Sequence, residues 1–162
     1  SDRIAAMAKS LNSPIAELEK KIEQAVEQSK IFQKKLNTIQ QSRAAETARN
    51  LAAKAEAAGD IPFISANLGV ADGNFAQAVV DALKGEFEGV VVLGATENDR
   101  IALVASVSES LTNQAQAGKI IQTIAPIVGG KGGGKPTQAR GAGRETDKLD
   151  EALAEVPRIL AN

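Results

Sequence analysis

The stretch Gly129-Gly130-Lys131-Gly132-Gly133-Gly134-Lys135-Pro136 stands out from the rest of the chain, and Ala139-Arg140-Gly141-Ala142-Gly143 follows it closely. Seven of the 14 glycines lie between positions 129 and 143, and this window contains no acidic side chain. Glycine has no Cβ atom, so successive backbone N–H groups can turn towards one point and a ligand can approach the main chain. We therefore expect a glycine-rich loop that binds an anion. Its N–H donors would be those of Gly130, Gly132, Gly133 and Gly134, with Lys131, Lys135 and Arg140 neutralising charge.

Two other interpretations of this stretch explain the residues less well. A flexible linker is usually rich in serine, whereas this run carries lysines and ends in a proline. A nucleoside-triphosphate loop has a Ser or Thr after its lysine to hold magnesium, and it joins a strand to a helix. Here Pro136 occupies that position, and the residues before Gly129 have the pattern of a helix. The sequence therefore favours neither a linker nor a nucleotide hydrolase.

The basic side chains are concentrated around the glycines. The whole chain has 19 Lys and Arg against 20 Asp and Glu, yet residues 110–144 contain basic side chains and no acidic ones. Such local asymmetry is typical of a face that binds phosphate. Two more cations in this window, Lys119 and Arg144, are expected to extend the patch.

The composition excludes several kinds of chemistry. With no Cys and no His, the chain has no thiol nucleophile, no zinc site of the Cys/His kind and no imidazole for acid–base catalysis. Its only aromatic residues are four Phe within apolar patterns, so base stacking on an exposed aromatic platform is not expected. The missing cysteines agree with a reducing, cytoplasmic compartment, and no apolar run predicts a membrane span. A start at Ser1 without Met indicates a fragment or a processed chain.

The first 58 residues have the pattern of long helices. A short helix is expected over residues 3–11, after which Ser13 has the position of an N-cap and Pro14 that of the first helical residue. From there, apolar residues recur at alternating spacings of three and four, a heptad register interrupted by Ser29. We interpret residues 14–58 as one long helix or a helical hairpin ended by Gly59, whose seam packs either on the chain's own helix or on a second copy. The seam consists of Ile15, Leu18, Ile22, Ala25, Phe32, Leu36 and Ile39.

From Ile61 onwards the periodicity is that of a small α/β unit. Runs of β-branched and apolar residues predict strands at 61–66, 89–94 and 100–106, and Glu97-Asn98-Asp99 predicts a tight turn between the last two. Amphipathic patterns predict helices at 74–84, 113–128 and 147–160. We expect a fold of the α/β (α+β) class, with a helical or coiled-coil subdomain over residues 1–59 and a small globular domain of a short sheet and packed helices over residues 60–162.

A set of motifs in the second half resembles the DHH-associated nucleic-acid-binding domain. They are Ala117-Gly118-Lys119, Ile120-Ile121, the run from Gly129 to Pro136, Ala139 and Gly143. This family occurs at the C-terminal end of alanyl-tRNA synthetase and beside DHH-type phosphoesterases. The likeness extends from Ile61 to the C-terminus, and the long helical segment that precedes a Gly-Asp boundary favours the synthetase form.

The resemblance implies a module that holds the outer corner of tRNA, where the D and T loops meet, and whose helical part contributes to a homodimer. It implies tRNA for alanine as a partner, together with upstream aminoacylation and editing domains. The chain itself is then expected to be no enzyme and to bind no cofactor, since ATP, magnesium and zinc are implied only for the parent ligase. The implied nucleic-acid-binding residues are Gly129, Gly130, Lys131, Gly132, Gly133, Gly134, Lys135, Pro136, Ala139, Arg140, Gly143, Lys119 and Arg144.

Two alternatives stay open. The chain could be the nucleic-acid substrate-binding domain of a DHH-type phosphoesterase, whose metal-binding catalytic half would be rich in Asp and His. It could also be a purely structural coiled-coil oligomerisation domain in which the glycines serve only tight packing.

Overall fold

The computed structural model describes residues 2–162, and the chain divides into two compact units, Ser1–Ile39 and Gln40–Asn162. A single helix, α1, runs from Asp2 to Ala52, and its described residues 2–39 are all exposed. The predicted break at Ser13-Pro14 is therefore wrong, as is the helical hairpin. Proline lacks an N–H group and so removes one bond to the carbonyl of Ser10, but this carbonyl is on an exposed helix and can bind water instead. None of the helices within residues 2–162 is long and apolar enough to cross a membrane.

The predicted continuation of the helix to residue 58 is also wrong. Strand β1 (Glu56–Ala58) pairs antiparallel with the beginning of β2 (Ile61–Val70), and Ala58 lies opposite Ile61. Gly59, with a φ of +62°, forms the turn between them with Asp60. Pairing with β2 overrides the helical preference of the alanines, so this glycine closes a hairpin and does not cap a helix.

Residues 40–162 contain a sheet of six described strands, in the order β1, β2, β3 (Val90–Glu97), β4 (Arg100–Val107), β6 (Gln138–Gly143) and β5 (Lys131–Gly134). Strands β2 and β3 are parallel and are joined through helix α2 (Gly73–Lys84), while all other neighbours are antiparallel. The predicted hairpin of β3 with β4 is confirmed, and both residues of its turn, Asn98 and Asp99, have positive φ. The other described elements are α3 (Ala117–Ile124), α4 (Leu149–Ala154), α5 (Val156–Ala161) and 3₁₀ turns at Glu109–Leu111, Ala125–Val128 and Thr146–Lys148.

Helices cover both faces of this sheet, so the core has two layers. On one face, α3, α4 and α5 bury residues such as Val92, Leu103 and Ile121. On the other, α2 packs on β3 and β4 together with Ala44 and Ala48 of α1. Alternate residues of each strand therefore belong to different layers. The same alternation along β5 and β6 decides which of their side chains lie on the α2 face.

Candidate nucleic-acid interface

The glycine-rich stretch forms a β-hairpin, so the predicted loop is wrong. Gly133 of β5 lies opposite Arg140 of β6, and Gly132 lies opposite Gly141. The N–H of Lys135 donates to the Gln138 carbonyl over 2.8 Å, which fixes the phase of the ladder. By alternation, the N–H of Gly133 points to β6, and those of Gly132 and Gly134 point away from it.

This geometry corrects the predicted anion-binding donors. The N–H of Gly130 donates to the Ala125 carbonyl over 3.0 Å, and that of Gly133 belongs to the ladder. Of the four glycines, only Gly132 and Gly134 have N–H groups that are used neither by the ladder nor by the preceding turn. A cradle of four converging backbone donors is therefore not formed.

Most of the glycines allow α3 and the following turn to approach the hairpin closely. A Cβ atom on Gly132 would lie 2.5 Å from Ile121 Cγ2, and one on Gly141 would lie 2.8 Å from the same methyl group. On Gly143 it would lie 2.4 Å from Val128 Cγ2, and on Gly118 it would lie 2.5 Å from the Gly134 carbonyl oxygen. Real side chains do not occupy such distances, so packing alone explains these glycines.

Gly133 is the exception among them. A Cβ atom there would meet only the side chain of Gln122, whose Nε2 lies 3.3 Å away, and its φ is not in the left-handed region. The flexible amide of Gln122 can move aside. Packing therefore does not explain this glycine, and its position directly opposite Arg140 leaves the backbone open on the exposed face.

Two cations of the hairpin share the α2 face of the sheet. Arg140 lies opposite Val104, which belongs to the core layer under α2, and Lys131 is the diagonal neighbour of Arg140 across the hairpin. Both side chains are exposed. The guanidinium of Arg140 donates from Nη2 to the Gly73 carbonyl over 3.1 Å, which ties it to the first turn of α2. The two side chains thus leave the same face of the hairpin, and the guanidinium of Arg140 is directed towards α2.

The other predicted cations lie at the two ends of the hairpin. Lys135 is in the turn, and its carbonyl accepts the Gly118 N–H over 3.1 Å, which places the adjacent Lys119 near this turn. The Pro136 carbonyl accepts the Ala117 N–H over 2.8 Å. Arg144 follows the other end of β6, where its N–H donates to the Val128 carbonyl over 2.9 Å. These cations are all exposed, and the ion pairs found in residues 2–162 involve none of them.

Three predicted site residues have other surroundings. Ala139 and Gly143 are buried on the α3 face, where Ala139 is part of the core. Gly129 has a φ of +70° and ends the 3₁₀ turn that precedes β5. Ala139 and Gly143 therefore serve the packing of the hairpin, and Gly129 serves the turn that leads the chain into β5.

The seven predicted seam residues of α1 are all exposed. Because the helix is continuous, the same register extends back through Leu11 and Ile4, which are also exposed. Leu11 is 64% exposed and Ile4 is 69% exposed. An apolar stripe of this length on a helix is typical of a surface that a partner helix covers.

Sequence reasoning missed one group of residues near the hairpin. Ser106, Thr137 and Gln138 line a cavity of about 660 Å³ between the end of β4, the start of β6 and the C-terminal end of α2. No spacing motif marks them. The two-residue spacing of Gln138, Arg140 and Ala142 would have indicated that their side chains share one face of the sheet. This spacing has that meaning only once β6 is known to be a strand.

Comparison with known proteins agrees with this architecture. The family model of the DHHA1 domain matches residues 60–162. An alanine–tRNA ligase from Hydrogenovibrio crunogenus is 34% identical over 96% of this chain, which spans 18% of the length of that ligase. One from Acidithiobacillus ferridurans is 33% identical over 94% of this chain and 17% of its own length.

A solved structure shows the same likeness. The C-Ala domain from Aquifex aeolicus alanyl-tRNA synthetase superposes with a TM-score of 0.62 at 25% identity, covering 67% of this chain and 98% of that domain. The chain spans less than a fifth of the length of these ligases. Because the family model covers well over half of the chain, the chain belongs to the DHHA1 domain family, in the form found in the C-terminal domain of alanyl-tRNA synthetase.

Proposed function

We propose that this chain is the tRNA-binding part of an alanine–tRNA ligase and that it binds the outer corner of tRNA for alanine through the β5–β6 hairpin. The observation that carries the proposal is the pair of Lys131 and Arg140, which are exposed on the same face of the hairpin within a segment, positions 110–144, that has no acidic residue. Paired cations on an open backbone surface are suited to phosphates of a folded RNA. The aminoacylation and editing reactions, with their ATP, magnesium and zinc, then belong to other domains of the parent ligase.

The electrostatic part of this proposal has a direct test. Binding of the chain to tRNA for alanine, to another tRNA and to single-stranded DNA is measured across a salt series. With three to five phosphate contacts, we expect log affinity to fall against log salt with a slope of roughly −2 to −4. In Lys131→Glu, the slope should become shallower by about one or more, and the preference for tRNA should weaken.

A matched control is available at the opposite edge of the sheet. Lys54 is an exposed cation just before β1, the edge strand opposite β5, and no ion pair of the described residues involves it, so Lys54→Glu makes the same change of charge. This control should bind tRNA like the unmodified chain. A flat salt response, or equal losses in the two variants, would contradict binding through the hairpin.

Gly133→Glu separates RNA binding from a purely structural role of the glycines. The Cβ position meets only the Gln122 side chain, so the variant should fold, yet it places a carboxylate directly opposite Arg140. We expect normal thermal unfolding and loss of tRNA binding. Unfolding of this variant would favour the structural alternative, and metal-dependent cleavage of a short oligonucleotide by the chain would favour the phosphoesterase alternative.

The exposed seam supports a second role in homodimer formation. Continuing the register through α1 gives Ile15 and Ile22 at a positions and Leu11 and Leu18 at d positions. This choice of residues favours a parallel, two-stranded coiled coil. Ser29 occupies the next a position and would lower stability while helping to fix the register.

A further inference from the structure

We propose that Gly73, the first residue of α2, positions the side chain of Arg140 for binding RNA. This inference rests on the proposed function and extends it from the hairpin to a second element. Gly73 acts in two ways: its carbonyl accepts a hydrogen bond from Nη2 of Arg140 over 3.1 Å, and its missing side chain leaves room for the guanidinium. It acts through Arg140 and is therefore a positioning residue.

The backbone of α2 does not require a glycine at position 73. Its φ is not in the left-handed region, and in a helix alanine is favoured over glycine. A Cβ atom here would lie 3.0 Å from Nη2 of Arg140, which is shorter than a relaxed carbon contact of about 3.5–4.0 Å. The next atom, Ala102 Cβ, is 3.4 Å away, at the short end of ordinary contact. The guanidinium is therefore the group that a side chain at position 73 would displace.

The stability of the fold does not account for this contact. Arg140 is exposed, and a hydrogen bond at the surface contributes little net stability because water competes for both groups. The guanidinium also lies beside the N-terminus of α2, the positive end of the helix dipole, where a cation is unfavourable. Asp72 caps this end by accepting the Phe75 N–H over 2.8 Å, and the ion pairs found in residues 2–162 do not join it to Arg140. The contact is better explained by what the guanidinium binds.

A guanidinium held in place binds phosphate at a lower entropic cost. A free, exposed arginine side chain samples many rotamers, and a ligand must otherwise restrict them. The side-chain hydrogen bonds found in residues 2–162 use Arg140 only on Gly73, so the other donors of its planar fork can meet a phosphate. Loss of the bond should therefore weaken RNA binding about threefold to tenfold, the cost of ordering one such side chain, with no loss of charge.

The test combines Gly73→Ala with Arg140→Ala in a double-mutant cycle. The affinity for tRNA for alanine is measured across a salt series for the unmodified chain, the two single variants and the double variant, and thermal unfolding is measured for each. Gly85→Ala is the matched control. Gly85 ends the same helix at its other terminus, is exposed, and has no atom within 4 Å of its Cβ position.

We expect Gly73→Ala to bind tRNA about threefold to tenfold more weakly, at an unchanged salt slope because the charge of Arg140 remains. Its melting temperature should stay the same or rise by a few degrees, since alanine lowers the entropy of the unfolded chain. Arg140→Ala should make the slope shallower by about one, and Gly73→Ala should have no further effect in that background. Gly85→Ala should bind like the unmodified chain.

Three results would overturn the positioning role alone. They are an unchanged affinity of Gly73→Ala, a melting temperature of this variant more than a few degrees lower, and an equal loss of affinity when Gly73→Ala is added to Arg140→Ala. Absence of tRNA binding by the unmodified chain, or normal binding by Arg140→Ala, would overturn the proposed function as well.

Discussion

At the scale of single residues, the glycines of the hairpin have two different reasons to be glycine. Gly132 has no space for a Cβ atom because Ile121 and the backbone of Gly141 lie within 2.5 Å of that position. Gly133, next to it, has only a mobile amide nearby. The same residue type therefore serves helix packing at one position and an open surface at the next.

A pair of alanine substitutions separates these reasons. Gly132→Ala overpacks the contact with α3 and should lower the free energy of unfolding by about 1–3 kcal/mol or more. Gly133→Ala should leave it within about 1 kcal/mol of the original value, because the lower entropy of the unfolded chain offsets a small shift of Gln122. Chemical denaturation of both variants checks this. Equal destabilisation at the two positions would contradict the inference that the surface at Gly133 is open.

At the scale of elements, the seam of α1 makes a prediction about association. Ile22→Asp would bury an unpaired carboxylate from each chain in the a layer of a coiled-coil dimer, at a cost of several kcal/mol per charge. We expect the dimer dissociation constant to rise about 100-fold or more in sedimentation equilibrium. Gln24→Asp adds the same charge outside the seam and should change it little. A chain that is monomeric at all concentrations would contradict the dimer.

The elements also show which parts of the fold could be predicted from the sequence alone. Strands β2, β3 and β4 and helix α2 were predicted because their side chains carry the period of each element. The hairpin of β5 and β6 was missed because glycine has no side-chain pattern and a low strand preference. Its strands exist because β6 pairs with β4 and α3 packs on the glycines, which are contacts distant in sequence.

The candidate site was predictable to a similar extent. The cations were found because a segment rich in basic residues can be recognised in the sequence without knowledge of the fold. The roles of the backbone donors were wrong for Gly130 and Gly133, since the direction of an N–H group depends on the ladder. Ser106 and Gln138 were missed because they come together only across paired strands.

At the scale of the whole molecule, both layers of the core lie within residues 40–162. A chain of these residues alone should therefore fold. We expect its melting temperature to lie within a few degrees of that of the full chain in dilute solution, and to be independent of protein concentration. Calorimetry on both chains measures this. Loss of the cooperative transition would mean that residues before Gln40 are needed for the fold.

The position of β6 between β4 and β5 has a consequence for synthesis on the ribosome. A growing chain can form β1 to β4 as soon as they emerge, but the outer edge of β4 stays unpaired until residues up to 143 are available. This edge belongs to an apolar strand, and such edges readily pair with other chains. Translation that stops between β4 and β6 would therefore release a product prone to aggregation, and a pause in that interval would prolong the time for which a nascent chain needs a chaperone.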